Sequence, residues 1–261
     1  MNWFFNKKID PVEFFGYPKD QQGIIHRYLR ENENWRSHLE NSQRYIVQFC
    51  REIPPVKSIA VLGSGWLLDI PLEFLLNNFE TIFLIDIFHP MQVKHKLRSY
   101  PQVHLIEKEL TGYVHQLPSL INQKDFHTEM LNQLSSSGFD PFSDIRPGAI
   151  VSLNLLTQLD GILHDYMSKH HRGNEEVLKP FRKKIQEEHI RLISRYPSCL
   201  ISDTEEIYTN NKGEIVSRRP SLFAEWPRTR YSKGWNWIFD TRKTFHEHLN
   251  TTFRVEATML I

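Results

Sequence analysis

Gly63, Ser64 and Gly65 close an apolar run, SIAVL (58–62), and open a stretch of helical character, WLLDIPLEFL (66–75). Glycine at such a turn permits positive φ and lets the backbone approach a ligand closely. Asp86 ends a second apolar run, TIFLID (81–86), twenty-one residues after Gly65. That is near the offset at which an acid reaches a ribose hydroxyl. The third glycine of a dinucleotide fingerprint is missing, because Leu68 holds its place behind Trp66 and Leu67. A bulky apolar loop is poorly shaped for a pyrophosphate and suits a ligand without phosphates. Asp69 precedes Pro71, which suits a first helical turn, and reads as a helix cap. His170-His171 and His246-x-His248 lack metal-site spacing, so no metal is expected. Neither a G-x-S-x-G elbow nor a P-loop occurs.

These residues do chemistry together only if the fold brings them to one edge. Apolar, β-branched runs predict strands at 58–62, 81–86, 103–109, 148–156 and 198–206. Helical patterns lie between them: one ends near Asn78, and a long polar one covers roughly 159–196. A loop rich in Ser and Gly falls near 135–148. Such alternation argues a parallel sheet with helices on both faces and a ligand site beyond the carboxyl ends of its strands. Residues 20–52 carry apolar groups spaced for two amphipathic helices or one broken helix, stopped by Pro54-Pro55. The tail departs from the alternation. Asn210-Asn211-Lys212-Gly213 signals a hairpin, and 234–240 and 253–261 read as two final strands with a short helix between. The division is an N-terminal helical extension (1–55) and an α/β domain (56–261) with a hairpin insertion at about 207–232.

Composition narrows the function classes. The 261 residues carry a formal charge of +1, so no global field favours nucleic acid or membrane. The basic runs at 182–184 and 218–219 are local. Cys50 and Cys199 stand far apart without C-x-x-C, which argues against a disulfide framework and for a reducing compartment. No apolar stretch reaches signal-peptide or membrane length, and a cytoplasmic location is expected.

AVLGSGW (60–66), LIDIFHP (84–90), LIEKELTG (105–112) and SLNLLTQL (152–159) together resemble the motifs of class I S-adenosylmethionine-dependent methyltransferases, in a bacterial-type member. The resemblance covers most of the chain from about residue 58. It implies a Rossmann-like three-layer sandwich, with a seven-stranded, mostly parallel sheet closed by an antiparallel C-terminal strand pair. It also implies S-adenosylmethionine as cofactor. Gly63, Ser64 and Gly65 would line its methionine part, Asp86 and Ile87 its ribose, and Glu109 and Leu110 its adenine, with Asn154 near the methyl group. Val61 stands where the family often has an acid, and Leu67 where it usually has a further glycine. Asp69 could replace the missing acid.

Methyl transfer asks a protein chiefly for positioning and desolvation. Asn154 and Asp203 are the candidate catalytic residues: a strand-end amide orients a nucleophile, and a carboxylate accepts its proton. Thr157, Gln158 and Glu205 stand at the same strand ends. Arg218, Trp226 and Trp235, in an arginine- and tryptophan-rich segment after strand five, could grip an anionic or planar acceptor. The acceptor is not specified by the sequence. Two other readings fit the same residues: a nicotinamide- or flavin-dependent oxidoreductase with an atypical glycine loop, and a non-catalytic cofactor-binding or scaffold protein.

Overall fold

The computed structural model describes residues 15–117, 120, 131, 134, 136, 139–171 and 175–261, with the side chains of 162, 166, 169–171, 175 and 177 left aside. The aromatics of residues 1–14, part of the 135–148 loop, and the His170-His171 side chains therefore lie outside the described residues.

A 36-residue helix, α1 (Tyr17–Glu52), opens the described chain. It is one helix broken once, at Glu31 (φ −117°, ψ 16°), and it stops at Ile53, whose backbone is extended ahead of Pro54-Pro55. The sheet then assembles from β1 (Ser58–Leu62), β2 (Thr81–Asp86), β3 (Val103–Glu107), β4 (Ala149–Leu153) and β5 (Ser198–Thr209). Short helices α2 (Leu72–Asn78) and α3 (Met91–Leu97) link the first three strands, and α4 (Gln158–His171) and α5 (Glu175–Ile193) link β4 to β5. The long helix expected over 159–196 is thus two helices.

β3, β2, β1, β4 and β5 pair in parallel in that order. β8 (Asn250–Leu260) runs antiparallel to β5, and β7 (Lys233–Asp240) runs antiparallel to β8. β6 (Ile215–Pro220) folds back on β5 as a hairpin. The sheet therefore has eight strands, not seven. The extra strand is β6, which pairs with the part of β5 that outruns β4: β5 last pairs with β4 at Ile201↔Leu153, yet runs on to Thr209. No helix forms between β7 and β8. Residues 241–249 are bends and turns, with positive φ at Lys243 and His248.

Parallel strands covered on both faces must be apolar on both faces, and β1 and β4 are buried along almost their whole length. On one face Ile59, Val61, Val151, Leu153 and Ile201 pack against Tyr45, Ile46 and Phe49 of α1 and Leu75 of α2. On the other, Ala60, Leu62, Ile150 and Leu200 pack against Ile193 of α5 and Leu156. The result is a three-layer, Rossmann-like sandwich. Its strand order reverses between β1 and β4, and their carboxyl ends place the loops at 63–71 and 154–157 side by side.

Candidate functional site

Gly63 sits at φ 80°, and its amide donates to Ile85 O at 2.9 Å. A Cβ here would meet Leu153 O at 2.5 Å, so only glycine lets β1 turn this tightly against β4. The loop keeps a left-handed residue at Leu67 (φ 62°), the position of the absent further glycine, and its side chain is buried in the core. Gly65 N–H donates to Asp86 Oδ2 at 2.8 Å. Asp86 Oδ1 accepts from Ile87 N at 2.8 Å and faces Gln21 Nε2 at 3.4 Å. Asp86 therefore fixes the glycine turn before it meets any ligand. Burial pushes its carboxyl up to about 6 against three amide bonds that pull it down.

Ser64 is buried, with Oγ 2.9 Å from His89 Nε2. Burial holds His89 neutral, its pKa lowered to about 4. Glu109 caps its own turn: its carboxyl takes Thr111 Oγ1, Thr111 N and, at 2.6 Å, Gly112 N. Leu110, beside it, is buried.

Asp69 departs from its expected role. α2 has no side-chain cap; instead Asp69 turns to the loop after β4, where Asn154 Nδ2 donates to Oδ2 at 2.6 Å. Its environment is apolar enough to push its carboxyl up to about 6, with the Asn154 bond opposing. Asn154 itself stands at φ 48°, a conformation asparagine tolerates. Its amide also lies 3.1 Å from His38 Nε2, while Trp235 Nε1 donates to His38 Nδ1 at 3.1 Å. Burial lowers the His38 pKa to about 3, so the ring is neutral. An indole can only donate, so Nδ1 accepts and the ring proton sits on Nε2. With Asp69 ionised, the amide NH2 serves the carboxylate and leaves that proton unmatched. With Asp69 protonated, the amide turned over accepts from both. The Asn154 side chain is thus set by one proton.

These groups line one cavity of about 980 Å³. Gly63, Ser64, Gly65, Asp86, Ile87, Glu109, Leu110 and Asn154 all lie on it, as do Thr157, Gln158 and Asp203. Thr157 Oγ1 donates to Asp203 Oδ1 at 2.6 Å, and burial raises the Asp203 carboxyl, with that bond opposing. Glu206, on the β5 overhang, is raised by burial and by the Asp203 charge.

Three expected acceptor-binding residues are elsewhere. Arg218 points to the outer face of the hairpin and pairs with Glu205 at 2.6 Å; its neighbour Arg219 lines the cavity instead. Trp226 is buried in the core on the opposite sheet face. Trp235 serves His38 and packs against the α1 side rather than the cavity. For Arg218 and Trp235, which lie on strands, side chains alternate, so one residue of register decides which face each takes.

The sequence also gives no hint of the cavity's roof. Tyr17, Asp20, Gln21, Ile24, Arg27 and His38 of α1 all face it, and Trp66 Nε1 donates to Gln21 O at 2.7 Å, tying helix to glycine loop. Trp237 and Phe239 of β7, Phe253 of β8 and Phe245 form an aromatic wall. Periodicity marks α1 as amphipathic but does not say which partner its polar edge covers.

No family model and no curated protein matches the sequence. Among solved structures, the chain is similar to a DhpI–SAH complex at 7% identity, with 92% of this chain and 94% of that chain covered and a TM-score of 0.37. It is similar to the glycopeptide N-methyltransferase MtfA complexed with S-adenosyl-L-methionine at 12% identity (82% and 75% covered, TM-score 0.32). A third is a putative S-adenosylmethionine-dependent methyltransferase from Listeria monocytogenes, at 10% identity (84% and 98% covered, TM-score 0.32). Likenesses this remote assign no activity to the chain.

Proposed function

We propose that the protein is an S-adenosylmethionine-dependent methyltransferase. The observation that carries this reading is electrostatic. Asp69 and Asp86 line one cavity with carboxyls pushed up to about 6, and no cationic side chain figures among the influences on either. Buried acids without a counter-charge suit a cationic ligand. Beside the glycine turn they oppose a pyrophosphate, as does a loop filled by Trp66, Leu67 and Leu68 whose following helix starts only at Leu72. The fit of the cofactor is therefore good at both ends: Asp69 for an ammonium beside the glycine turn, and Asp86 for ribose hydroxyls once it is ionised.

Bound there, the cofactor would supply a methyl group on a cationic sulphur. The chain's own part is to hold and dry the site. Gly63 and Gly65 bring the backbone close, α1 covers it, and the Asn154 amide, anchored by Asp69 and His38, stands at the mouth of β4. Asp203, its pKa raised and its hydroxyl partner Thr157 in place, is positioned to take a proton from an acceptor that arrives protonated.

Calorimetric titration with S-adenosylmethionine, S-adenosylhomocysteine and NAD(H) tests this. Heat with the first two and none with the dinucleotide is the expected result. At a hundredfold excess over its dissociation constant, the bound ligand should stabilise the fold by about 2.7 kcal/mol. Dinucleotide binding alone would overturn the proposal, as would silence with all three.

A further inference from the structure

Arg27 of α1 lines the same cavity but sits against its aromatic wall. Its guanidinium carbon lies 4.7 Å from the Phe239 ring centroid and 5.2 Å from that of Phe245. Among the described residues it makes no ion pair and no hydrogen bond, and its Nε is buried without a partner. Desolvation dominates its environment, lowering its pKa. Two acids are near enough to influence it, Asp240 and Glu31, but their oxygens are taken. Asp240 accepts from Thr244 N at 2.6 Å and Phe245 N at 2.8 Å, and Glu31 accepts from Thr241 N at 3.0 Å and Arg242 N at 3.1 Å. Those bonds already pin the 241–245 loop over α1, so Arg27 is not needed to hold it there. A half-desolvated guanidinium facing a cavity, with its planar donors unmatched, is an anion receptor awaiting its anion.

The wall around it sets the rest of the ligand. Phe239 and Phe253 lie 4.4 Å apart between centroids, and Phe245 stands edge-on to Phe239 at 5.0 Å. Trp237 stacks on His38 at 3.9 Å, and His38 in turn reaches Asn154. A row of rings thus runs from the Asn154 amide to Arg27. We propose that this row seats the methyl acceptor, and that the acceptor is a small molecule with a planar apolar body and a carboxylate, the carboxylate bound by Arg27. That the occupant is a methyl acceptor rests on the proposed activity; that an aryl carboxylate binds here does not.

The test uses the full-length protein and paired probes: cinnamate against cinnamamide, and indole-3-carboxylate against its amide. Binding is followed by tryptophan fluorescence and calorimetry, with and without S-adenosylhomocysteine. Each acid should bind at least tenfold tighter than its amide. Arg27→Met, which keeps an apolar stem between the two rings, should erase that preference and leave S-adenosylhomocysteine affinity and melting temperature within error. The acid–amide comparison on the unaltered protein stands alone if Arg27→Met fails to fold. Equal affinity for acid and amide, or no binding of either, overturns the proposal and leaves Arg27 as a ring-packing residue. An Arg27-dependent preference without S-adenosylhomocysteine binding upholds the anion site and fails the methyltransferase reading instead.

Discussion

Asp69 is the residue whose protonation the fold most directly exploits. Its carboxyl is raised from 3.8 to about 6 by burial, so the folded state favours the protonated acid. Its contribution to stability is therefore complete below about pH 4, declines as pH rises through 6 and stays lost above that. Asp69→Asn removes this dependence. Between pH 4 and 7 the variant should gain on the wild type by up to about 3 kcal/mol, two pKa units at 1.36 kcal/mol each, read by urea melts at the two pH values. A cationic cofactor prefers the ionised acid, so affinity for S-adenosylmethionine should rise through pH 6 less steeply in the variant, where only Asp86 still ionises there, than in the wild type. An unchanged pH profile in Asp69→Asn would place the proton elsewhere. Gly63 offers a blunter check. Gly63→Ala sets a methyl group 2.5 Å from Leu153 O at φ 80°, and a loss of at least about 1–3 kcal/mol is expected in the same melts.

The elements were far more legible than the faces they present. Ser58–Leu62 and Thr81–Asp86 have the bounds that their apolar runs suggest, because a strand buried on both sides writes itself as an uninterrupted run. The glycine turn and Asp86 were legible for a related reason, since backbone geometry at φ 80° restricts the residue type. Arg218 and Arg219 were not. The β5–β6 ladder shifts register at Tyr208/Thr209, and β5–β8 shifts at Asp203/Glu205, so counting alternate residues from the sheet core loses parity before it reaches them. Nor was α1 readable as a roof, because its register against the glycine loop depends on Trp66 and Gln21, 45 positions apart. One consequence of its placement is measurable. Gly23 lies inside α1 with open space where a Cβ would go. Gly23→Ala should raise stability by about 0.5–1 kcal/mol through helix propensity alone, as a shift in the denaturation midpoint; a loss instead would mean that the helix needs its flexibility at this point.

At the scale of the whole molecule, the cavity is closed by pieces drawn from the length of the described chain. The floor comes from β1, β2 and β4, the roof from α1, and the far wall from β7 and β8. β5's overhang past β4 carries Asp203 and Glu206 onto the cavity wall. The helix that roofs the cavity has its partner late in the sequence: Trp35 Nε1 donates to Phe239 O across 204 positions, and Tyr45 OH to Tyr231 O across 186. Synthesis on the ribosome runs in that same order. At roughly 5–20 residues per second, about 10–40 s separate the emergence of Trp35 from that of Phe239. Throughout that interval the apolar side of the helix around Trp35 lacks the β7 strand that covers it. Nascent chains stalled before residue 233 should therefore be readily cut within α1 by added protease and held by chaperones, and both susceptibilities should vanish once β7 and β8 have emerged.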